Sequence, residues 1–200
     1  MDMKHIFRKG KDSNQPTFIM FHGTGGDETD LIPVALRLNP DYNVLSVKGN
    51  VSEGGMARFF KRVGEGQYDW EDLAERSDEL NDFLREAAEH YNFDLNKAVL
   101  VGFSNGSNMA INLLLREDTT FAKALLFAPL YPADIENVRD LSNMTIFLSM
   151  GTQDPIVPVS ENERVIDIFK RSGAKVETHW TVSHGITEAA LNDAAKALED

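Results

Sequence analysis

Cysteine is absent from the 200 residues. Its absence removes a thiolate nucleophile, thiolate metal sites, CxxC redox motifs and any disulfide framework. A domain of this length buries roughly 70% of the surface its unfolded chain exposes, so it needs no covalent staples. The lack of cysteine fits a reducing, cytoplasmic setting. Long apolar runs are missing as well. None approaches the roughly 18 residues of a membrane span, and the polar stretch Met1 to Lys11 has no apolar centre of the kind a secretion signal carries. Basic residues are scarce, 20 against 32 acidic ones, for a net charge of −12. Such a surface favours solubility and repels phosphate backbones and anionic membranes, so neither nucleic acid nor a membrane is an expected partner. No H-E-x-x-H, no His pair at helical spacing near carboxylates, and no glycine-rich nucleotide-binding motif occurs, so neither a metal nor a cofactor is expected.

What the sequence does hold is an alternation of short apolar runs with longer amphipathic segments. The runs are Thr17 to Phe21, Asn43 to Val47, Ala98 to Val101, Ala124 to Phe127 and Thr145 to Ser149. They show little polar alternation, which is how strands read when both faces of a parallel sheet are covered. Lys175 to Val182 alternates more and reads as a strand nearer an edge, and His5 to Arg8 reads as a further short strand. Helical spacing of apolar residues runs through Trp70 to Tyr91, Asn105 to Arg116, Ser160 to Arg171 and Ile186 to Leu198. Ser160 and Glu163 have the spacing of a capping box. Together these predict an α/β fold, a doubly wound and mostly parallel sheet with helices on both faces, in a single domain over residues 1–200. Right-handed crossovers place the C-terminal strand ends on one edge, where ligands bind. Gly49 to Asp69 fits neither period and reads as a long functional loop.

Chemistry concentrates at those strand ends. Gly102-Phe-Ser-Asn-Gly106 follows a strand and opens a helix, the context a nucleophile elbow requires, and makes Ser104 the candidate nucleophile. A serine hydroxyl needs a base. Among five histidines, His184 follows the last strand and precedes the last helix. His179 lies inside a strand, where packing is the expected role, and His22 is expected to brace its loop. Asp154, in a loop stiffened by Gly151, Pro155 and Pro158, is the candidate for orienting the base. The order Ser, Asp, His is that of α/β-hydrolases. The oxyanion donors expected are the backbone N–H groups of Asn105 and of Thr24, the latter in the glycine-rich turn after the first buried strand.

These motifs (Phe21-His-Gly-Thr-Gly-Gly-Asp-Glu28, the Ser104 pentapeptide, Gly151-Thr-Gln-Asp-Pro-Ile-Val-Pro158 and Ser183-His-Gly-Ile186) resemble, over nearly the whole chain, the small phospholipase/carboxylesterase family, which includes bacterial carboxylesterases and acyl-protein thioesterases. The stretch Gly54 to Arg62 further resembles the bacterial branch linked to quinone and hydroquinone stress. The resemblance implies an α/β-hydrolase fold without a cap domain. It also implies cofactor-free hydrolysis of carboxylic esters or thioesters, Ser104, Asp154 and His184 as the triad, and Thr24 and Asn105 at the oxyanion positions. Thr24 stands where many relatives carry an apolar residue, and Asn105 where glutamine is common.

The expected substrate is a small or medium soluble ester. Met56, Phe59 and Phe60 are expected to line an acyl or aromatic pocket, with Ile156 as a further lining candidate, and Arg58 and Arg62 to meet an anionic substituent. Thioesterase or lysophospholipase activity, or ligand binding without catalysis, are the alternative readings. A homodimer stays open.

Overall fold

The computed structural model describes residues 1–200. Seven strands form the central sheet: β1 (His5–Arg8), β2 (Thr17–Phe21), β3 (Asn43–Val47), β8 (Val99–Phe103), β9 (Lys123–Phe127), β10 (Thr145–Gly151) and β11 (Lys175–Thr181), in the spatial order β1-β3-β2-β8-β9-β10-β11. Only β1 runs antiparallel to its neighbour. This is the α/β-hydrolase arrangement, and it carries no separate cap.

The apolar runs are strands because both of their faces are covered. All five residues of β2 are buried. Ile19 and Phe21 enter the larger core, and Phe18 and Met20 the smaller core on the opposite face. Helices α2 (Trp70–Tyr91), α3 (Asn105–Leu114) and α4 (Val159–Arg171) send Leu80, Met109 and Ile168 into the first core, while α1 (Ile32–Leu38) and α5 (Glu188–Ala197) send Ala35 and Ala194 into the second. β11 lies at the sheet edge and is half-exposed along its length, as its alternating sequence predicts.

Three details depart from the sequence-based expectations. Helix α1 was not apparent in the pattern, because seven residues give less than two turns of periodicity; Pro33 near its start was the only signal. The Ser160–Glu163 capping box does not form. Pro158 takes the N-cap position with an extended backbone, so α4 starts at Val159 and Ser160 falls inside it. The segment Gly49 to Asp69 is not irregular. It folds into two small hairpins, β4 (Val51–Glu53) with β5 (Met56–Arg58), and β6 (Arg62–Gly64) with β7 (Gln67–Tyr68).

The strand order changes direction at β2. Its neighbour β3 lies on one side and β8 on the other, so the loops leaving β2 and β8 diverge and open a crevice at the C-terminal edge. The loops that follow β2, β8, β10 and β11 all leave from that edge and carry Thr24, Ser104, Asp154 and His184.

Candidate active site

Ser104 sits between β8 and α3 with φ 51° and ψ −115°, a conformation that non-glycine residues adopt only when surrounding structure enforces it. The enforcement is visible. Its N–H donates to Phe127 O at 2.9 Å, and glycines flank the turn two residues away on each side. A Cβ on Gly102 would lie 2.6 Å from Ser107 N, and one on Gly106 would overlap Phe21 O. Only glycine lets helix α3 approach β2 this closely, and that approach pushes the Ser104 side chain outward over the crevice.

The side chain meets a histidine. Ser104 Oγ lies 3.0 Å from Nε2 of His184, and Nδ1 of His184 lies 2.6 Å from Oδ2 of Asp154. An ionised carboxylate only accepts, so Nδ1 carries the proton and Nε2 is left to accept from the serine hydroxyl. The Asp154 side chain is 1% exposed and that of His184 15%. The second carboxylate oxygen, Oδ1, accepts from the N–H groups of Ile156 at 2.7 Å and Val157 at 3.1 Å. The turn of the loop and the orientation of the histidine are therefore supplied by two oxygens of one side chain.

Asn105 opens α3, so its N–H has no helical carbonyl to meet. Its side chain is buried, with Oδ1 accepting from Phe59 N at 2.7 Å. Thr24 stands at the rim of the same cavity, and its hydroxyl accepts from Arg58 Nη1 at 2.5 Å. The glycine-rich turn is tied down from both sides. Gly25 N donates to Ala57 O at 2.9 Å. His22 Nε2 accepts from Gly49 N at 3.0 Å while its Nδ1–H donates to Gly23 O at 2.6 Å. Both ring nitrogens are thus committed in the neutral form, and burial pushes the His22 pKa down. His22 braces the loop, as its position suggested. His179, paired with Asp193 at 2.7 Å, is a satisfied edge-strand residue.

A cavity of about 290 Å³ opens over Ser104 and is lined by Thr24, Arg58, Arg62, Asn105, Ile156 and His184, among others. Arg58, Arg62 and Ile156 were expected there. Met56, Phe59 and Phe60 were expected too, and they do not line it. Phe59 and Phe60 point into the main core, at 1% and 0% exposure, where Phe59 packs on Phe21 and Phe60 on Tyr68. Met56 is exposed beside Gly25 on the outer face of the hairpin. The wall is built instead by residues that carried no local signal. Tyr68 donates to Leu130 O at 2.5 Å, and Asn108 accepts from Leu130 N at 2.7 Å, so both backbone polar groups of Leu130 are held by cavity residues. Burial pushes the Tyr68 phenol well above its usual pKa, so it stays a neutral donor. Ala128 adjoins this wall with a positive φ of 50°. No group of three or more His, Asp or Glu side chains is arranged to hold a metal ion, and no helix is long and apolar enough to cross a membrane.

Comparison with known proteins finds relatives over nearly the whole chain. Residues 3–200 match the phospholipase/carboxylesterase family. The chain is similar to MhqD of Bacillus subtilis, 38% identical over 178 residues that cover 89% of this chain and 88% of MhqD. It resembles the crystal structure of the Bacillus cereus carboxylesterase with a TM-score of 0.95 and 41% identity, covering 99% of this chain and 94% of that one. It also resembles YahD, solved with malic acid, with a TM-score of 0.94 and 30% identity over 98% of each chain.

Proposed function

Because the chain belongs to the phospholipase/carboxylesterase family and is a hydrolase of that kind, we propose that it cleaves small or medium soluble carboxylic esters through an acyl-enzyme on Ser104. The observation that carries this reading is the continuous relay from Ser104 Oγ through His184 to the buried Asp154 carboxylate.

In the first half-reaction Ser104 Oγ attacks the ester carbonyl carbon and its proton passes to His184 Nε2. The carbonyl oxygen takes the negative charge between the N–H groups of Thr24 and Asn105, and Asp154, still ionised, stabilises the imidazolium. The tetrahedral adduct collapses, the C–O bond to the leaving alcohol breaks, and His184 returns the proton to that oxygen. In the second half, water attacks the acyl-enzyme, His184 takes its proton, and collapse releases the carboxylic acid and restores the serine hydroxyl. No cofactor is needed.

The size of the cavity supports a small substrate. About 290 Å³ lies just below the roughly 300–1,000 Å³ range of ligand pockets. YahD, a relative solved with malic acid, is in keeping with a small polar ligand.

The test is hydrolysis of 4-nitrophenyl acetate and butyrate by the purified protein, with labelling by a fluorophosphonate probe. Turnover and labelling at residue 104 are expected, and Ser104→Ala should lower kcat about ten-thousand-fold or more with folding retained. A Ser104→Ala protein that keeps most of its activity overturns the reading.

A further inference from the structure

The cavity over Ser104 is lined by two guanidinium groups and no carboxylate. This is the reverse of the molecule's overall balance of 20 basic against 32 acidic residues. Arg58 is 3% exposed, an unusual place for a guanidinium unless it is paired. Its Nε donates to Phe60 O at 3.0 Å and its Nη1 to Thr24 Oγ1 at 2.5 Å, and the group lies 5.6 Å from the centroid of the Phe60 ring. Its Nη2 makes no hydrogen bond within the chain. The nearest carboxylate, Glu53, stands 3.5 Å from Arg58 Nε, but its main partner is Arg62, which holds it through Nε at 3.1 Å and Nη2 at 2.9 Å. One carboxylate therefore serves two guanidinium groups, and one positive charge is left uncompensated at the cavity wall. Burial first, and then the neighbouring Arg62, pull the Arg58 pKa down, against the pull of Glu53.

Nη2 is not enclosed by protein but opens towards the cavity, where an anion can take up the donor and offset the remaining charge. A carboxylate matches the planar fork of arginine and supplies that partner. The position of the charge also limits the spacer. Arg58 is bonded to the side chain of Thr24, whose backbone N–H is the proposed oxyanion donor, so an anion on Arg58 would lie close to the reacting carbonyl.

We propose that the cavity takes short esters bearing a free carboxylate, half-esters of small dicarboxylic acids, with Arg58 and Arg62 meeting the anion while Ser104 attacks the ester carbonyl. The proposal rests on the esterase reading above and names the substrate class of that same site.

The experiment compares monoethyl succinate with ethyl succinamate, which is neutral and nearly the same shape. The wild-type kcat/KM for the half-ester is expected to exceed that for the amide by about tenfold or more, with the ratio collapsing towards one in Arg58→Gln and in Arg62→Gln. Arg62 is the less buried of the two, so its variant keeps the test available if Arg58→Gln fails to fold. A wild-type ratio under tenfold, or a ratio that neither substitution lowers, overturns the proposal. Should neither ester be hydrolysed, turnover of 4-nitrophenyl acetate and probe labelling at residue 104 decide the esterase reading separately. Calorimetric titration of the wild-type protein with succinate and with succinamide then decides the substrate class: saturable succinate binding that Arg62→Gln weakens supports it, and equal or absent binding of both overturns it.

Discussion

The side-chain oxygen of Asn105 accepts a hydrogen bond from the backbone N–H of Phe59 at 2.7 Å, joining the first residue of the nucleophile helix to the double hairpin that walls the cavity. Phe59 is buried, so its N–H has no water to turn to. Asn105→Ala leaves the backbone N–H at position 105 in place and strands the N–H of residue 59. The orphaned donor outweighs relief of the Asn105 Nδ2, which is already buried without a partner. A loss of about 1–2 kcal/mol is expected in chemical denaturation. Unchanged stability would show that the hairpins are held by other contacts alone.

Asp154 separates structure from catalysis within one side chain. In Asp154→Asn the Oδ1 atom goes on accepting from Ile156 and Val157, so the loop is expected to keep its shape. The amide NH2 then faces His184 Nδ1, which must give up its proton. The proton moves to Nε2, where it blocks acceptance from Ser104. The expected loss in kcat is about ten-thousand-fold with little change in thermal midpoint. Steady-state kinetics and a melting curve on the same protein check both halves; a fall of less than about tenfold contradicts the proposed role.

The positive φ at Ser104 stores strain that glycine does not feel. Both Ser104→Gly and Ser104→Ala are expected to be inactive, but the glycine variant should be the more stable of the two, by about 1 kcal/mol. Equilibrium unfolding in urea compares them directly. An alanine variant as stable as the glycine one would mean that the turn carries no appreciable strain.

His22 gives the fold a dependence on pH. Its imidazole is held neutral by burial, with Nε2 accepting from Gly49 and Nδ1–H donating to Gly23, so its folded pKa lies below the ordinary value of about 6.5. Below that value the unfolded chain takes up a proton that the folded chain refuses. The stabilisation is therefore fully present above about pH 6.5 and declines as the pH falls through it. His22→Asn preserves a donor and an acceptor without titrating. Between about pH 7.5 and about pH 5.5 the wild type should lose more stability than this variant. Parallel denaturation curves at the two pH values would contradict the assignment.

Much of the scaffold was legible from residue order. β2, β3 and α2 begin and end where their apolar pattern does. The pentapeptide at Gly102–Gly106 declared both a strand end and a helix start, because only glycine tolerates that closeness of approach on either side of Ser104. Asp154 and His184 stood out because each follows a strand, the buried β10 and the edge strand β11, on the side where the serine had to lie. Leu130 and Ala128 gave no such sign: their part in the wall depends on Tyr68 and Asn108, distant in sequence, reaching the same backbone.

The sequence by itself determined the strands, their hydrophobic faces and the three side chains brought together at one rim. Only the tertiary structure decided what lines the cavity. Between Met56 and Arg62, apolar and cationic residues stand side by side in strands of three residues, too short for a period to declare an inner face. The hairpin is oriented by bonds to residues distant in sequence, Gly25 N to Ala57 O and Phe59 N to the side-chain Oδ1 of Asn105. Those bonds turn Phe59 and Phe60 into the core and leave Arg58 facing the serine, the opposite of what hydrophobicity alone suggests for a pocket, because long-range hydrogen bonds and not local sequence set the direction of each side chain.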